Sequence, residues 1–406
     1  MFARVLCFTA ALFAQQERPP VFDVVDPASV QLDAEKLQKI DKYMREKVAD
    51  GSIVGCSGLI ARGQKVAYFQ TWGDMNREKQ QPMRADTIFR IYSMSKPITS
   101  VAAMQLVERG KMKLDDPVSK YLPALKDMKV LKGDESVPAE TPISVRHLMS
   151  HQAGFTYGFF GNSKVDQAYR KAGVLMTGAN VEDTVGKLGS IPLQYEPGTR
   201  WHYSVATDVL GRLVEVVSGE RFDVYLENNI FKPLNMVDTS FVVPADKLDR
   251  FAEMYRERNS ELKPANRFSS RRFIDPKNTY FSGGGGLCST TRDYLRFCQA
   301  LLAGGELDGA RILKASSIKQ MTTNQLKTPG FKFGLGFSIT SEGEYSWGGA
   351  AGTRFYINPK RNLIGIYMIQ INPYGSRKHG GVMKRLTYEA DLGSSVPGTE
   401  PTAPMP

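Results

Sequence analysis

Ser93 and Lys96 stand three residues apart in Phe89-Arg-Ile-Tyr-Ser-Met-Ser-Lys96, just ahead of an apolar stretch from Ile98 to Val107. At the start of a helix that spacing places both side chains on one face. The free N–H groups and positive end of a helix favour negative charge developing on a serine, and Pro97 is tolerated because the helix has barely begun. A serine hydroxyl is a poor nucleophile until a neighbour takes its proton. A lysine does so when burial or nearby charge brings it down from about 10.4 towards the working pH. Standing alone, the same pair reads as an N-cap serine and a solvated lysine. Two further segments supply context. Tyr203, in Pro197-Gly-Thr-Arg-Trp-His-Tyr-Ser-Val205, precedes an apolar helix from Ala206 to Val217. There a phenol can relay a proton between nucleophile and leaving group, although a lone tyrosine is more often a half-buried packing residue. Tyr345-Ser-Trp-Gly-Gly-Ala350 sets small residues beside a strand, so that a substrate can approach backbone N–H groups able to form an oxyanion hole.

Other patterns point away from rival chemistries. His147 and His151 lie four apart, but the stretch between them lacks the Glu of a zinc motif and no third ligand is evident, so packing or loop-anchoring histidines are expected and no metal. The run Gly283 to Gly286 lacks the Lys-Ser/Thr or acidic partner of a phosphate cradle and reads as close backbone packing or a flexible loop edge. There is no G-x-S-x-G elbow, which removes the α/β-hydrolase route to an esterase. Cys7, Cys56, Cys288 and Cys298 form neither a disulfide framework nor a C-x-x-C pair. The net charge of +11 favours anionic surfaces and solutes at long range, yet no basic block is interleaved with aromatics, so nucleic-acid binding is not expected.

In order and spacing these elements resemble the serine β-lactamase and penicillin-binding-protein superfamily, specifically its class C β-lactamase-like carboxylesterase (family VIII esterase) branch, whose signatures include S-x-x-K. Supporting stretches are His147-Leu-Met-Ser-His-Gln-Ala-Gly154, Tyr195-Glu-Pro-Gly198 and Gly284-Gly-Gly-Leu-Cys-Ser-Thr-Thr-Arg-Asp293, and the likeness covers roughly residues 35 to 390. The resemblance implies Ser93 as the acylated nucleophile, Lys96 as its base partner, and Tyr203 as second general base and leaving-group acid. It implies an oxyanion hole of the Ser93 and Ala350 N–H groups, with Tyr92, Val205, Trp347, Gly348 and Gly349 at the substrate. Two departures define the subclass. The β-lactamases carry Lys at the position of Trp347 and typically Asn at that of Val205. Losing both hydrogen-bonding groups weakens selection of amide and carboxylate features. The expected function is therefore a cofactor-free serine carboxylesterase acting on a small-molecule ester, with Trp347 as an apolar wall suited to short or medium acyl chains or aromatic alcohols. Alternatives are a class C-like β-lactamase or D-amino-acid peptidase, an acyltransferase, and a non-catalytic penicillin-recognising binding protein; the oligomeric state stays open.

These residues need a frame to bring them together, and 406 residues with 42% hydrophobic content provide ample core. Residues 31 to 48 place Leu32, Leu37, Ile40, Tyr43, Met44 and Val48 near one helical stripe. Runs 52 to 60 and 65 to 72, separated by Ala61 to Gln64, predict a hairpin; 333 to 340, 352 to 357 and 362 to 370 predict partner strands, with a turn at Asn358 to Arg361. Helices are expected over 97–109, 144–150, 204–218, 291–303 and 378–391. The predicted fold is α+β, an α/β sandwich: an antiparallel sheet from both chain ends (31–92 and 331–392) flanked by helices, with a mainly helical region at 93–330, β-lactamase/transpeptidase-like. Residues 1–14 form a short signal-like pattern implying a periplasmic or secreted protein, with a frayed cytoplasmic N-terminus as the alternative. Residues 393–406 read as a disordered tail, and no stretch is long and apolar enough for a transmembrane helix.

Overall fold

The computed structural model describes residues 22–175, 180–265 and 271–393; the signal-like segment 1–14 lies outside them, as does the tail beyond Gly393. Eight strands form one antiparallel sheet: β1 (Gly55–Arg62), β2 (Lys65–Asn76), β3 (Gln81–Pro82), β4 (Lys332–Phe333), β5 (Ser338–Ile339), β6 (Tyr345–Gly348), β7 (Arg354–Asn358) and β8 (Leu363–Ile369). Their spatial order is β4-β5-β6-β7-β8-β1-β2-β3, so the two chain ends meet at the centre, where Cys56 pairs with Ile369 and Arg62 with Leu363. Side chains alternate across these strands. Leu59, Ala61, Ile364, Ile366 and Met368 enter one core, whereas Cys56, Ile60, Leu363, Tyr367 and Ile369 enter another on the opposite face. Burial on both faces explains why β1 and β8 are almost continuously apolar, although antiparallel strands with one solvated face alternate with polar residues.

Helices α1 (Ala34–Ala49) and α5 (His379–Ala390) cover one face. Asp33 caps α1 by accepting from Lys36 N–H at 3.1 Å, and Leu37, Ile40 and Met44 bury the predicted stripe, with Tyr43 and Val48 at its margin. The other face carries α2 (Ser95–Glu108), α3 (Ala206–Ser218) and α4 (Thr291–Leu302) within the larger core. Every residue of α2 from Ser95 to Leu106 is buried, as befits a central helix without a polar face.

The expected architecture is present, with boundaries corrected. The hairpin turn narrows to Gly63-Gln64, because Ala61 and Arg62 still pair with Val66 and Lys65 across a bulge. The run 333 to 340 is not one strand. Gly336 adopts φ +97° and the Gly334 N–H donates to Phe337 O at 2.8 Å, which breaks it into β4 and β5. The segment expected to lie beside a strand is itself β6. The mainly helical region also carries ribbons at Lys129–Lys132/Glu135–Pro138 and Tyr255–Arg258/Glu261–Pro264, while Ile88–Arg90 pairs with Cys288–Thr290. Helices Lys164–Ala172 and Val181–Leu188, not anticipated from the sequence, each begin in a reciprocal capping box, Ser163 with Asp166 and Asn180 with Asp183.

Candidate active site

Ser93 sits in a single 3₁₀ turn, Tyr92–Met94, between the short strand Ile88–Arg90 and α2. Tyr92 takes φ +42°, a region that costs a non-glycine residue of order 1–3 kcal/mol unless its surroundings enforce it. They do. Its half-buried ring meets Phe273 edge-on at 5.8 Å. The Arg90 guanidinium lies 3.9 Å over the Phe251 ring and donates to Ala252 O at 2.7 Å. The Gln370 amide bonds both Arg90 N–H and Arg90 O, at 3.1 and 3.0 Å. On the far side of the turn the Tyr294 hydroxyl donates to Met94 O at 2.9 Å.

The three residues expected to act together converge. Lys96, 1% exposed on the first turn of α2, donates from Nζ to Ser93 Oγ at 3.2 Å and to Gly284 O at 2.5 Å. Tyr203, just ahead of α3, donates from its hydroxyl to the same Ser93 Oγ at 2.6 Å. Lys96 Nζ also lies 4.7 Å from the Tyr203 ring centroid and 5.4 Å from that of Tyr157. With Pro97 the third residue of α2, its missing N–H is among those that have no intrahelical acceptor in any case.

The glycine run packs as closely as expected, and it also does something the sequence did not suggest: its backbone holds the lysine. The Gly284 N–H donates to Asp208 Oδ1 at 3.1 Å, Ser282 Oγ donates to the same oxygen at 2.5 Å, and Thr99 Oγ1 donates to Gly283 O at 2.8 Å. A peptide pinned by Asp208 on its N–H side thus offers Lys96 a carbonyl on the next. Asp208 is 1% exposed. A carboxylate inside the otherwise apolar start of α3 was the signal available for it.

At the end of β6 an added Cβ on Gly349 would lie 2.3 Å from Ile91 O, so only glycine lets this strand approach the chain leading into the nucleophile turn. Gly349 N–H donates to Thr353 O at 2.7 Å and Gly352 N–H to Gly349 O at 2.9 Å, closing a tight turn that carries the exposed Ala350. Gly348 is buried, and Trp347, 8% exposed, stands 5.6 Å from the Tyr203 ring and edge-on to Phe333 at 5.3 Å. Val205, at 0% exposure, immediately precedes α3, with its N–H donating to Thr156 O at 3.3 Å.

The histidines have structural surroundings. His147 completes a capping box with Ser144. His151 packs 4.9 Å from the Tyr203 ring and 5.6 Å from Phe333. Burial first, then the Lys96 and His202 charges, hold His151 well below the usual imidazole range, so it is neutral near pH 7. Burial, reinforced by Tyr203 and Asp208, pushes the Tyr157 phenol well up, so it stays protonated. Tyr157, 5.2 Å from Tyr203 ring to ring, was not singled out from the sequence. Cys56, Cys288 and Cys298 are buried free thiols, and burial pushes Cys56 and Cys288 up to about 12. Among the described residues no group of three His, Cys, Asp or Glu could hold a metal ion, and no helix is long and apolar enough to cross a membrane.

A serine hydroxyl within hydrogen-bond distance of both a lysine amine and a phenol, beside a strand end closed onto its own turn, has the parts for acyl transfer. Comparison with known proteins agrees. The family model described as Beta-lactamase matches residues 40–386. Protein Rv1367c of Mycobacterium tuberculosis is 32% identical over 81% of this chain and 89% of its own length. Esterase EstB of Burkholderia gladioli is 28% identical over 82% of this chain and 90% of its own. The solved structure of EstCE1, described as a hydrolase with promiscuous acyltransferase activity, superposes with a TM-score of 0.77 at 27% identity, covering 87% of this chain and 99% of that one. The chain belongs to the Beta-lactamase family.

Proposed function

From that membership and the geometry around Ser93, we propose that the protein is a serine carboxylesterase that hydrolyses short- to medium-chain acyl esters through an acyl-enzyme. The observation that carries the reading is the pair of hydrogen bonds converging on Ser93 Oγ, from Lys96 Nζ at 3.2 Å and Tyr203 Oη at 2.6 Å. Ser93 Oγ attacks the ester carbonyl while its proton passes to the Lys96–Tyr203 pair, taken first by Lys96 Nζ in its neutral amine form and relayed from there to Tyr203. The oxyanion rests against the Ser93 and Ala350 N–H groups. Collapse breaks the acyl–oxygen bond, and the departing alkoxide takes a proton from Tyr203. Water, deprotonated by the same pair, then attacks the acyl-Ser93 carbonyl, which frees the acid and restores the hydroxyl. Trp347, closed in by Phe333 and Tyr203, supports a short acyl pocket.

Acyl transfer to an alcohol instead of water is a second reading, supported by the acyltransferase activity printed for EstCE1. Trp347 and Val205, at positions where the β-lactamases that the chain resembles carry Lys and typically Asn, weigh against a β-lactamase or D-amino-acid peptidase.

The test is a parallel rate panel on wild type and Ser93→Ala: p-nitrophenyl butyrate, a cephalosporin and a D-Ala-D-Ala peptide, with intact mass after exposure to a phosphonate. Butyrate turnover well above the other two, abolished together with the adduct in the variant, is expected. Failure to form any adduct, or β-lactam turnover matching the ester, overturns the proposal.

A further inference from the structure

Phe159 and Phe160 are 60% and 51% exposed, although they lie within reach of the residues that surround Ser93. Their rings pack on each other at 4.4 Å and on Tyr157 at 5.1 and 5.5 Å, and Phe160 stands 6.1 Å from the Tyr203 ring. Two adjacent exposed phenylalanines lose solvation free energy, and a frayed loop would let them fold back. This loop is held instead. Asp166 accepts from Thr156 Oγ1 at 2.6 Å through Oδ1 and from Ser163 N–H and Ser163 Oγ at 3.0 and 2.7 Å through Oδ2. The Arg170 guanidinium donates to Gly158 O, to Gly161 O at 3.1 Å and to Asn162 Oδ1 at 2.6 Å. Gly158, at φ +83°, turns the chain where an added Cβ would lie 2.8 Å from that of Tyr169. Asp166 and Arg170 thus tie the chain on both sides of the aromatic pair and leave its faces to solvent, which is preorganisation of a contact surface rather than burial.

We propose that Phe159 and Phe160, with Tyr157 behind them, bind the alcohol half of the substrate, and that the alcohols favoured are aromatic or bulky and apolar. The inference rests on the esterase reading above, since it uses the role of Tyr203: a phenol that protonates the departing oxygen must lie beside the alcohol, and the aromatic lip borders the Tyr203 ring. Trp347 also stands beside Tyr203, 5.6 Å ring to ring, but is only 8% exposed, so the open aromatic surface next to Tyr203 is that of Phe159 and Phe160. An aryl group placed against Phe160 stacks on it and covers Phe159, the offset or edge-on geometries available to aromatic pairs.

Butyrate esters that share one acyl group and differ in the alcohol isolate this half-site, because every one of them yields the same acyl-enzyme. In wild type, 2-naphthylmethyl butyrate is expected to exceed methyl butyrate in kcat/KM. In Phe159→Ala/Phe160→Ala that ratio falls about tenfold, the size expected for losing one to two aromatic contacts. In a mixture of the two esters, product partition shifts accordingly. An unchanged ratio overturns the proposal. Binding of 2-naphthylmethanol itself, titrated calorimetrically into wild type and the double variant, reports on the lip independently of catalysis: equal affinities overturn the alcohol site even where esters are turned over. Weaker binding by the variant, in a protein that Ser93-directed phosphonate fails to label, sustains the site while the esterase reading falls.

Discussion

Gly284→Ala, compared with Gly285→Ala one residue along, separates a packed glycine from a permissive one. An added Cβ at Gly284 lies 2.6 Å from Asp208 Oδ2 and 3.1 Å from Oδ1, whereas at Gly285 the nearest atom is Tyr92 C at 3.6 Å, an ordinary contact. Asp208 cannot easily yield, because Ser282 Oγ and Gly284 N–H both bind its Oδ1. Clearing the overlap takes a shift of about 0.5–0.8 Å, and overpacking of this kind costs about 1–3 kcal/mol. The displaced peptide is the one whose carbonyl accepts from Lys96 Nζ, and the lysine is 3.2 Å from Ser93 Oγ. Misplacement of a reacting group by 1 Å costs about 10²-fold in rate, so kcat for p-nitrophenyl butyrate should fall by about 10–10² in Gly284→Ala and less than about twofold in Gly285→Ala, equivalent to about 1.4–2.7 kcal/mol on the barrier for the former. Stopped-flow release of nitrophenol measures acylation directly, and thermal unfolding checks that both variants remain folded. A folded Gly284→Ala with the wild-type burst rate, or an equal loss in Gly285→Ala, would refute the view that this backbone carbonyl sets the lysine.

Tyr203→Phe removes the 2.6 Å hydrogen bond to Ser93 Oγ and keeps the ring packing against Trp347 and His151; kcat should drop by about 10²–10⁴, the range for a lost general acid–base, with KM for methyl butyrate little changed, and a loss under tenfold would leave Lys96 sufficient alone. Asp293 gives a pH signature in stability. Burial lifts its carboxyl to about 6 against its bonds from Asp238 N–H and Thr239 Oγ1, while its Oδ1 has no hydrogen-bond partner. With a folded value above the unfolded one of about 3.9, its contribution is greatest below pH 4 and is lost as pH rises through 6, by about 2–3 kcal/mol. The urea stability of wild type minus that of Asp293→Asn should therefore decline between pH 5 and 7; parallel profiles would show that Asp293 does not titrate there.

The spacing of Ser93 and Lys96 put both on one face of a helix start, but their roles, and that of Tyr203, were readable only from the order of several motifs that together resemble the family. The central strands were readable because burial on both faces leaves β1 and β8 short of charged residues, with Leu59-Ile60-Ala61 in one and Leu363 to Ile369 wholly apolar in the other. What escaped was set by tertiary partners. The break between β4 and β5 depends on Gly336, whose added Cβ would lie 2.4 Å from Ser100 Oγ on α2, and no local pattern announces a helix pressing there. Asp208 and the Gly284 carbonyl acquire their role only once α3 and the glycine run pack on α2. Tyr157 and the phenylalanines after it carry no local signal of their own; helix Lys164–Ala172 holds their loop through Asp166 and Arg170.

The pairing of β1 with β2 on one side and β8 on the other orders events during synthesis. The hairpin leaves the ribosome early, with the edge destined for Leu363–Ile369 still bare, and the whole region around α2 and α3 is translated before its neighbour exists. An unpaired apolar edge is a template for wrong partners, so the nascent chain spends most of its translation dependent on something else to shield that ladder. Arrested chains ending before residue 363 should accordingly be cut by protease between 55 and 76, and chains released at 393 should not; protection of the arrested hairpin would mean that the sheet can begin without its last strand.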